Sequence, residues 1–292
     1  VLARAIDKPR LIAQTLNRVG NWYMNLDQAS EALRHHTEAL ELFERMGDER
    51  GRAETLDLLG MASSASATRA GAYFAEAIPL LRRLDDRPRL VTSLVMRMLG
   101  NAAYLYDASP AGVLSLDEAR AAADEALRIT REIGWLAGEA FVQWEIGLWL
   151  GARGEYRRAF RSTQAGVALA TEIDHRQWMA GSNVTFGMLH LDLCSFDQAR
   201  RYFETSLALA HEVGSRNFIN IATSGLACVA LAQRRVTEAA ARLDSVIGPT
   251  SGHGYGWPPN VLVGVSRRQA GARATKGRTR DRRRSCHDLI RA

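Results

Sequence analysis

The stretch Leu16-Asn17-Arg18-Val19-Gly20 begins a pattern that decides the fold of this 292-residue chain. An apolar residue followed by glycine recurs downstream at steps of 40, 40, 47 and 40 residues, and an apolar residue followed by alanine completes the series after 40 more. The six small residues are Gly20, Gly60, Gly100, Gly147, Gly187 and Ala227. Self-similarity of this kind indicates a stack of repeats rather than a fold around one closed core.

A second small residue, alanine, follows each of these positions. The step is twelve residues in repeats one, four, five and six, ten in repeat two and nineteen in repeat three. Repeat three therefore carries a seven-residue insertion, which we expect within residues 104–114. The anchor alanines are Ala32, Ala70, Ala119, Ala159, Ala199 and Ala239. We expect each glycine and alanine to lie where two antiparallel helices cross, because small side chains let helix axes approach closely.

Each repeat is predicted to form two amphipathic helices. In the first repeat, apolar residues recur at three- and four-residue steps over residues 16–26 and again over 29–43. Ser115 with Glu118, and Ser195 with Gln198, are predicted capping boxes of second helices. The expected helix ends are Gly47, Gly134 and Gly214, and Trp22 and Trp149 are expected in the core. No alternation of period two is long enough to predict a strand, so the fold class is all-α.

Composition and charge exclude several other classes of protein. With 47% hydrophobic and 24% charged residues the chain is globular, and no apolar run approaches the roughly 20 residues of a membrane-spanning helix. The net charge of +6 is uneven, because residues 251–292 carry +8 and residues 1–250 carry −2. We therefore divide the chain into a repeat domain, residues 1–250, and an arginine-rich tail, residues 251–292. The tail is interpreted as a basic arm, as a disordered segment or as the product of a shifted reading frame.

The cysteine pattern and the start of the chain bear on its origin. The three cysteines are an odd number without a C-x-x-C pair, which fits a reducing cytoplasm. The chain opens at Val1 without a signal-peptide pattern. Residues 2–7 match the end of a preceding second helix, so we expect a fragment of a longer cytoplasmic protein.

The pattern resembles the tetratricopeptide repeat family. That family has an apolar-glycine pair, an apolar or aromatic residue three later, alanine twelve after the glycine, and aromatic and alanine residues four and seven beyond. Repeat one supplies Val19, Gly20, Tyr23, Ala32, His36 and Ala39. The resemblance covers about residues 2–248 and implies a right-handed superhelical solenoid of stacked antiparallel helical hairpins. The period of 40 rather than the usual 34 is similar to the sensor arrays of bacterial signalling ATPases and of LuxR-type and related transcriptional regulators.

No residue pattern indicates catalysis or a bound cofactor. The chain lacks a P-loop, an H-E-x-x-H helix and a G-x-S-x-G elbow. His190 and Cys194 lie four residues apart and could share a helix face as metal ligands, but His190 stands at the packing position of Tyr23. We predict a non-enzymatic protein with no cofactor and no metal site.

The resemblance implies that the first helix of each repeat lines a concave face. Side chains three before, one after and four after each glycine then point inward, which makes one half of the groove polar and the other apolar. The candidate binding residues are Asn17, Asn21, Asp57, Arg97, Asn101, Tyr104, Phe141, Trp144 and Met188. The aromatic members could hold an apolar peptide anchor while Arg97 and the asparagines bond peptide backbone. The alternative is that these residues only pack the repeats together.

These features predict a protein-interaction or signal-sensing scaffold of a larger bacterial regulator, with a protein or peptide ligand in the concave groove. No membrane partner is expected, and self-association could occur through the ends of the solenoid. Two alternatives stay open at this point. One is a nucleic-acid-binding regulator that uses the basic tail or a missing module, and the other is a sensor whose groove binds a small effector.

Overall fold

The structure of the chain, a computed structural model, describes residues 8–26, 28–64, 66–100 and 114–246, and these contain twelve α-helices and no strand. The helices are α1 Pro9–Asn25, α2 Ala29–Arg45, α3 Glu49–Ala62, α4 Ala67–Arg83, α5 Arg87–Leu99, α6 Leu116–Glu132, α7 Leu136–Ala152, α8 Tyr156–Glu172, α9 Arg176–Asp192, α10 Phe196–Glu212, α11 Arg216–Ala232 and α12 Val236–Val246. None of them is both long and apolar enough to cross a membrane.

Consecutive helices pair as antiparallel hairpins, and each hairpin stacks on the next. The first helices of successive hairpins begin at intervals of 40, 38, 49, 40 and 40 residues. The predicted all-α solenoid of stacked helical hairpins is confirmed. Each hairpin covers the apolar face of its neighbour, which is why no single repeat can fold alone.

Short polar turns set where the helices begin and end. Asp48 and Asp86 cap α3 and α5 by accepting a bond from the backbone N–H three residues later. Ser115 caps α6 in the predicted capping box with Glu118. Ser195 makes no side-chain capping bond to α10, so the second predicted capping box is wrong. At the expected helix ends Gly47, Gly134 and Gly214, φ is positive, which glycine adopts without strain.

Four hairpins close around a glycine of their first helix, but the group that faces the glycine differs from the prediction. A Cβ atom added to the glycine would overlap the side chain that lies four residues after the anchor alanine. The facing pairs are Gly20 with His36, Gly60 with Phe74, Gly147 with Thr163 and Gly187 with Phe203. All six anchor alanines, Ala32, Ala70, Ala119, Ala159, Ala199 and Ala239, are buried. The glycine therefore accommodates a side chain of the second helix, with the alanine one turn earlier.

The third hairpin departs from this geometry. Because α5 begins 38 residues after α3, Met98 rather than Gly100 stands at the position of Gly60. Gly100 ends α5, and among the described residues a Cβ atom there would meet only the carbonyl oxygen of Arg97 and, at 3.9 Å, the Cβ of Ala67. The structure thus removes Gly100 from the crossing glycines. The predicted insertion lies outside the described ranges except for residue 114.

One strip of hydrophobic core runs through the hairpins from α3 to α11, and smaller clusters fill the first and last hairpins. Trp149 is 1% exposed within the strip, whereas Trp22 is 56% exposed, so the prediction that both are core residues is wrong for Trp22. The reason is position, since no described hairpin precedes α1 and covers it. Residues 2–7 and the tail 251–292 lie outside the described ranges.

Candidate functional site

Two polar residues predicted for the groove join neighbouring first helices. Asn17 Nδ2 donates to Thr55 Oγ1 at 2.9 Å, and Ser93 Oγ donates to Asp57 Oδ1 at 2.6 Å. The two pairs are equivalent in the repeat. Asn17 and Asp57 stand three residues before the anchor position of their own helix, and their partners stand five residues before the anchor position of the next first helix. Asn17 and Asp57 are buried, so these bonds hold α1, α3 and α5 together.

Asn17 also connects its own hairpin, through His36. The ring nitrogen Nδ1 of His36 lies 3.1 Å from Asn17 Oδ1, and because a carboxamide oxygen only accepts, His36 donates from Nδ1. The ring is fully buried, and its Nε2 has no partner in the described part of the chain. Burial lowers the pKa of His36 to about 4, so the imidazole is neutral at physiological pH.

Asp57 is a buried acid in the same polar seam. Burial raises the pKa of Asp57 to about 7, although the hydrogen bond from Ser93 and the charge of Arg89 act in the opposite direction. Its carboxyl group therefore exchanges a proton near neutrality, inside the contact between α3 and α5.

The other polar candidates lie apart from this seam. Asn21 is exposed on α1, and Asn101 and Tyr104 are outside the described ranges. In the register of α5, Arg97 takes the place of Leu59, which precedes its glycine, and its charge acts on Glu118 at the start of α6. The two-residue shift of the third hairpin thus places Arg97 away from the predicted groove floor.

The apolar half of the predicted site forms an aromatic cluster across three first helices, made of Phe141, Trp144, Trp178 and Phe218. Phe141 and Trp144 of α7 meet edge to face, with 5.8 Å between ring centroids. Trp178 of α9 lies 5.4 Å from Phe141 and 5.5 Å from Trp144. Phe218 of α11 lies 5.7 Å from Trp144, so the solenoid curves tightly enough for α7 to reach α11.

Gly181 of α9 makes this contact possible. A Cβ atom at Gly181 would lie 2.6 Å from Cζ2 of Trp144, so the indole occupies the space of the missing side chain. Met188, the remaining apolar candidate, is buried in the same core strip. Trp178 and Phe218 were missed because they stand nine residues before Gly187 and Ala227, an offset outside the positions considered. That shared offset is the signal that could have found them.

The aromatic cluster contains one unsatisfied hydrogen-bond donor. Trp144 is buried and its Nε1–H has no acceptor among the residues that the structure describes. A buried donor left unpaired costs on the order of 1–3 kcal/mol. At the edge of the cluster Trp178 is half-buried, where His175 stacks on its ring at 4.7 Å and accepts a bond from its backbone N–H at 3.3 Å.

Glu145 is a buried carboxyl group one residue from Trp144. It is 6% exposed, and its Oε2 accepts no hydrogen bond from any described residue. Burial alone raises its pKa to about 8. Glu145 lies two residues before its anchor position, as Gly225 does, and a Cβ atom at Gly225 would overlap Phe203 of the preceding hairpin.

The fold is shared with a protein of solved structure. The chain matches a Rap protein complexed with competence and sporulation factor at a TM-score of 0.55 and 13% identity, over 82% of this chain and 67% of that one. A second match, BtubC (BKLC) from P. vanneervenii, has 16% identity over 84% and 89% of the chains, but its TM-score of 0.45 is too low to establish a common fold. No protein-family model and no curated protein sequence matches the chain.

Among the described residues, no three His, Cys, Asp or Glu side chains come together as metal ligands. His190 stacks on Tyr202 at 5.2 Å and meets Phe160 edge to face at 5.1 Å, which is the geometry of a packing residue. At the edge of the aromatic cluster lies the half-buried ring of Trp178, beside the buried indole of Trp144.

Proposed function

We propose that the chain is a non-enzymatic protein-interaction scaffold that binds a peptide segment on its concave face at the aromatic cluster. The observation that carries the proposal is the half-buried ring of Trp178 beside buried Trp144, whose Nε1–H has no acceptor among the described residues. An apolar ligand side chain would pack on Trp178, and a shift of the covering side chains would let a ligand carbonyl accept the bond from Trp144. Aromatic anchors of this kind dominate binding energy at protein interfaces.

The shared fold supports the same proposal. The Rap protein with which this chain shares its fold was solved in complex with competence and sporulation factor. In this proposal residues 1–250 are the interaction domain of a larger bacterial transcriptional or signalling regulator in the cytoplasm. The regulator context is supported by the 40-residue spacing of most first helices.

Selection of peptides on the full chain tests the proposal. Random peptides displayed on phage are selected on the immobilised protein, and the dissociation constants of synthetic versions are measured by fluorescence anisotropy. We expect Trp178→Ala to weaken binding by about tenfold or more, and Trp144→Phe, which keeps a ring but removes the N–H, by about fivefold.

Trp22→Ala is the matched control, because Trp22 is an exposed tryptophan at the far end of the solenoid. It should leave the dissociation constants unchanged. Peptides that bind the Trp178→Ala and Trp144→Phe proteins as tightly as the native protein would refute the assignment of the site.

A further inference from the structure

A cleft separate from the concave aromatic cluster opens between the second helices α6 and α8, with α7 as its floor. Its volume is about 420 Å³, within the range of about 300–1,000 Å³ that is usual for small-molecule sites. One stripe of each helix lines it: residues 120–127 of α6, 143–150 of α7 and 158–165 of α8.

One residue of α6 that lines the cleft is Ala123, which has a small side chain. Ala123 stands four residues after its anchor alanine, where three other hairpins carry the rings of His36, Phe74 and Phe203 against a glycine. In this hairpin Met98 stands in place of that glycine, and Met98 and Ala123 are both buried. The floor of the cleft is apolar, with Ile146 and Leu150 from α7.

The rim of the cleft is positively charged. Three arginines line it, and Glu155 pairs with Arg158 at 2.6 Å and with Arg120 at 3.6 Å. Arg161 makes no ion pair with any residue in the described ranges. The one carboxylate on the lining is Asp124. The rim therefore has an unpaired cation above an apolar floor.

A neutral donor on the lining adds to this charge. Ser162 Oγ donates to Gln143 Oε1 at 2.7 Å, which occupies the oxygen of that amide and leaves its N–H groups as donors. Amide and guanidinium donors on the lining favour an acceptor that carries negative charge.

We propose that this cleft binds a small organic acid with an apolar body. The apolar body lies on Ile146 and Leu150, and the carboxylate pairs with Arg161. Asp124 repels the carboxylate of the ligand because both carry negative charge. Removal of the Asp124 charge should therefore strengthen binding, whereas removal of the Arg161 charge should weaken it. The ligand class differs from the peptide of the concave face, so the two sites stand or fall independently.

Calorimetric titration of the full chain with naphthoate and with its neutral isostere naphthamide tests the ligand class. Both probes have the same apolar body, so the difference isolates the anionic group. We expect naphthoate to bind about tenfold more tightly than naphthamide, since a charge-assisted bond replaces a neutral one. Equal affinities, or no binding of naphthoate, would overturn the proposal.

Variants of the rim test the position of the carboxylate. Arg161→Gln should weaken naphthoate about tenfold and leave naphthamide unchanged, whereas Asp124→Asn should tighten naphthoate about threefold. Arg128→Gln is the matched control, because Arg128 lies on α6 outside the cleft and pairs with Glu132. An equal loss in the Arg128 and Arg161 variants, or no gain in the Asp124 variant, would refute the assignment.

Filling the cleft tests its location. Ala123→Phe places a large side chain on the lining from α6, and it should abolish binding of both probes. Circular dichroism verifies that the variant is folded, and Ala165→Leu fills the cleft from α8 if it is not. Undiminished naphthoate binding in the folded variants would show that the acid binds elsewhere.

Discussion

The replacement Glu145→Gln removes a buried charge while keeping the shape of the side chain. Burial raises the pKa of Glu145 from its ordinary 4.5 to about 8. The folded state therefore holds a proton that the unfolded state has released over this interval, and stability falls as pH rises. This difference in pKa between the folded and unfolded states lowers the free energy of unfolding by about 5 kcal/mol over the whole interval, and by about 3 kcal/mol at pH 7.

Urea unfolding monitored by far-UV circular dichroism measures this effect. At about pH 5 residue 145 is neutral in the folded state of both the native and the Glu145→Gln proteins. We therefore expect their free energies of unfolding to agree at this pH. At about pH 8 the variant should be more stable by several kcal/mol. Asp57 and His36 titrate in both proteins, so the difference between the curves isolates Glu145.

Glu41→Gln serves as the control, since Glu41 is exposed on α2. Its effect should stay within about 0.5 kcal/mol at every pH. A Glu145→Gln protein that is less stable than the native one above about pH 8 would refute the reasoning, because it would mean that the carboxylate has a stabilising partner. A difference that does not change with pH would refute it equally.

Two further perturbations test the packing of the hairpins. Gly147→Ala should destabilise the chain by about 1–3 kcal/mol, because its Cβ would meet Thr163 and the carbonyl oxygen of Ala159. Gly100→Ala, at the end of α5, should be neutral or stabilising by up to about 1 kcal/mol. Thermal unfolding compares the two variants, and equal losses of stability would contradict the assignment of Gly147 to a helix crossing. In the folded protein the pKa of His36 is about 4, below the value of 6.5 in the unfolded chain. The unfolded chain therefore takes up a proton first as pH falls, and the free energy of unfolding decreases by about 3 kcal/mol between pH 6.5 and about 4. His36→Phe should remove this acid-induced loss from urea unfolding curves, and an unchanged pH profile would argue against a buried neutral ring.

The repeat architecture could be predicted because its signal occurs six times. A helix period, a small residue at the crossing and an alanine further on are local properties of the chain, and most hairpins supply them independently. Gly100 shows where this reasoning fails. An apolar-glycine pair fits the pattern both inside a helix and at its end. Gly100 keeps the 40-residue step although α5 begins two residues earlier than that step predicts, so the sequence alone placed Gly100 at the helix crossing.

The positions that point inward could also be predicted from the sequence, but the groups that contact them could not. Whether Asn17 and Asp57 face a ligand or the next hairpin depends on the distance between first helices, which no single repeat encodes. The contact of Trp144 with Phe218 depends on the curvature of three stacked hairpins. Curvature sums small rotations between repeats, and these are set by packing details such as the missing side chain of Gly181.

The departures from the repeat rule cluster around the third and fourth hairpins. Most hairpins place a side chain of the second helix against a glycine of the first, but Ala123 supplies no ring and Trp144 instead fills the gap at Gly181 of the next repeat. Glu145 adds a buried carboxyl group whose Oε2 has no hydrogen-bond partner among the described residues. Sequences that satisfy every local rule gain stability, so violations that persist are expected where a protein binds something. The cleft and the aromatic cluster lie on opposite sides of α7, which is the helix that a bound ligand at either site would hold in place.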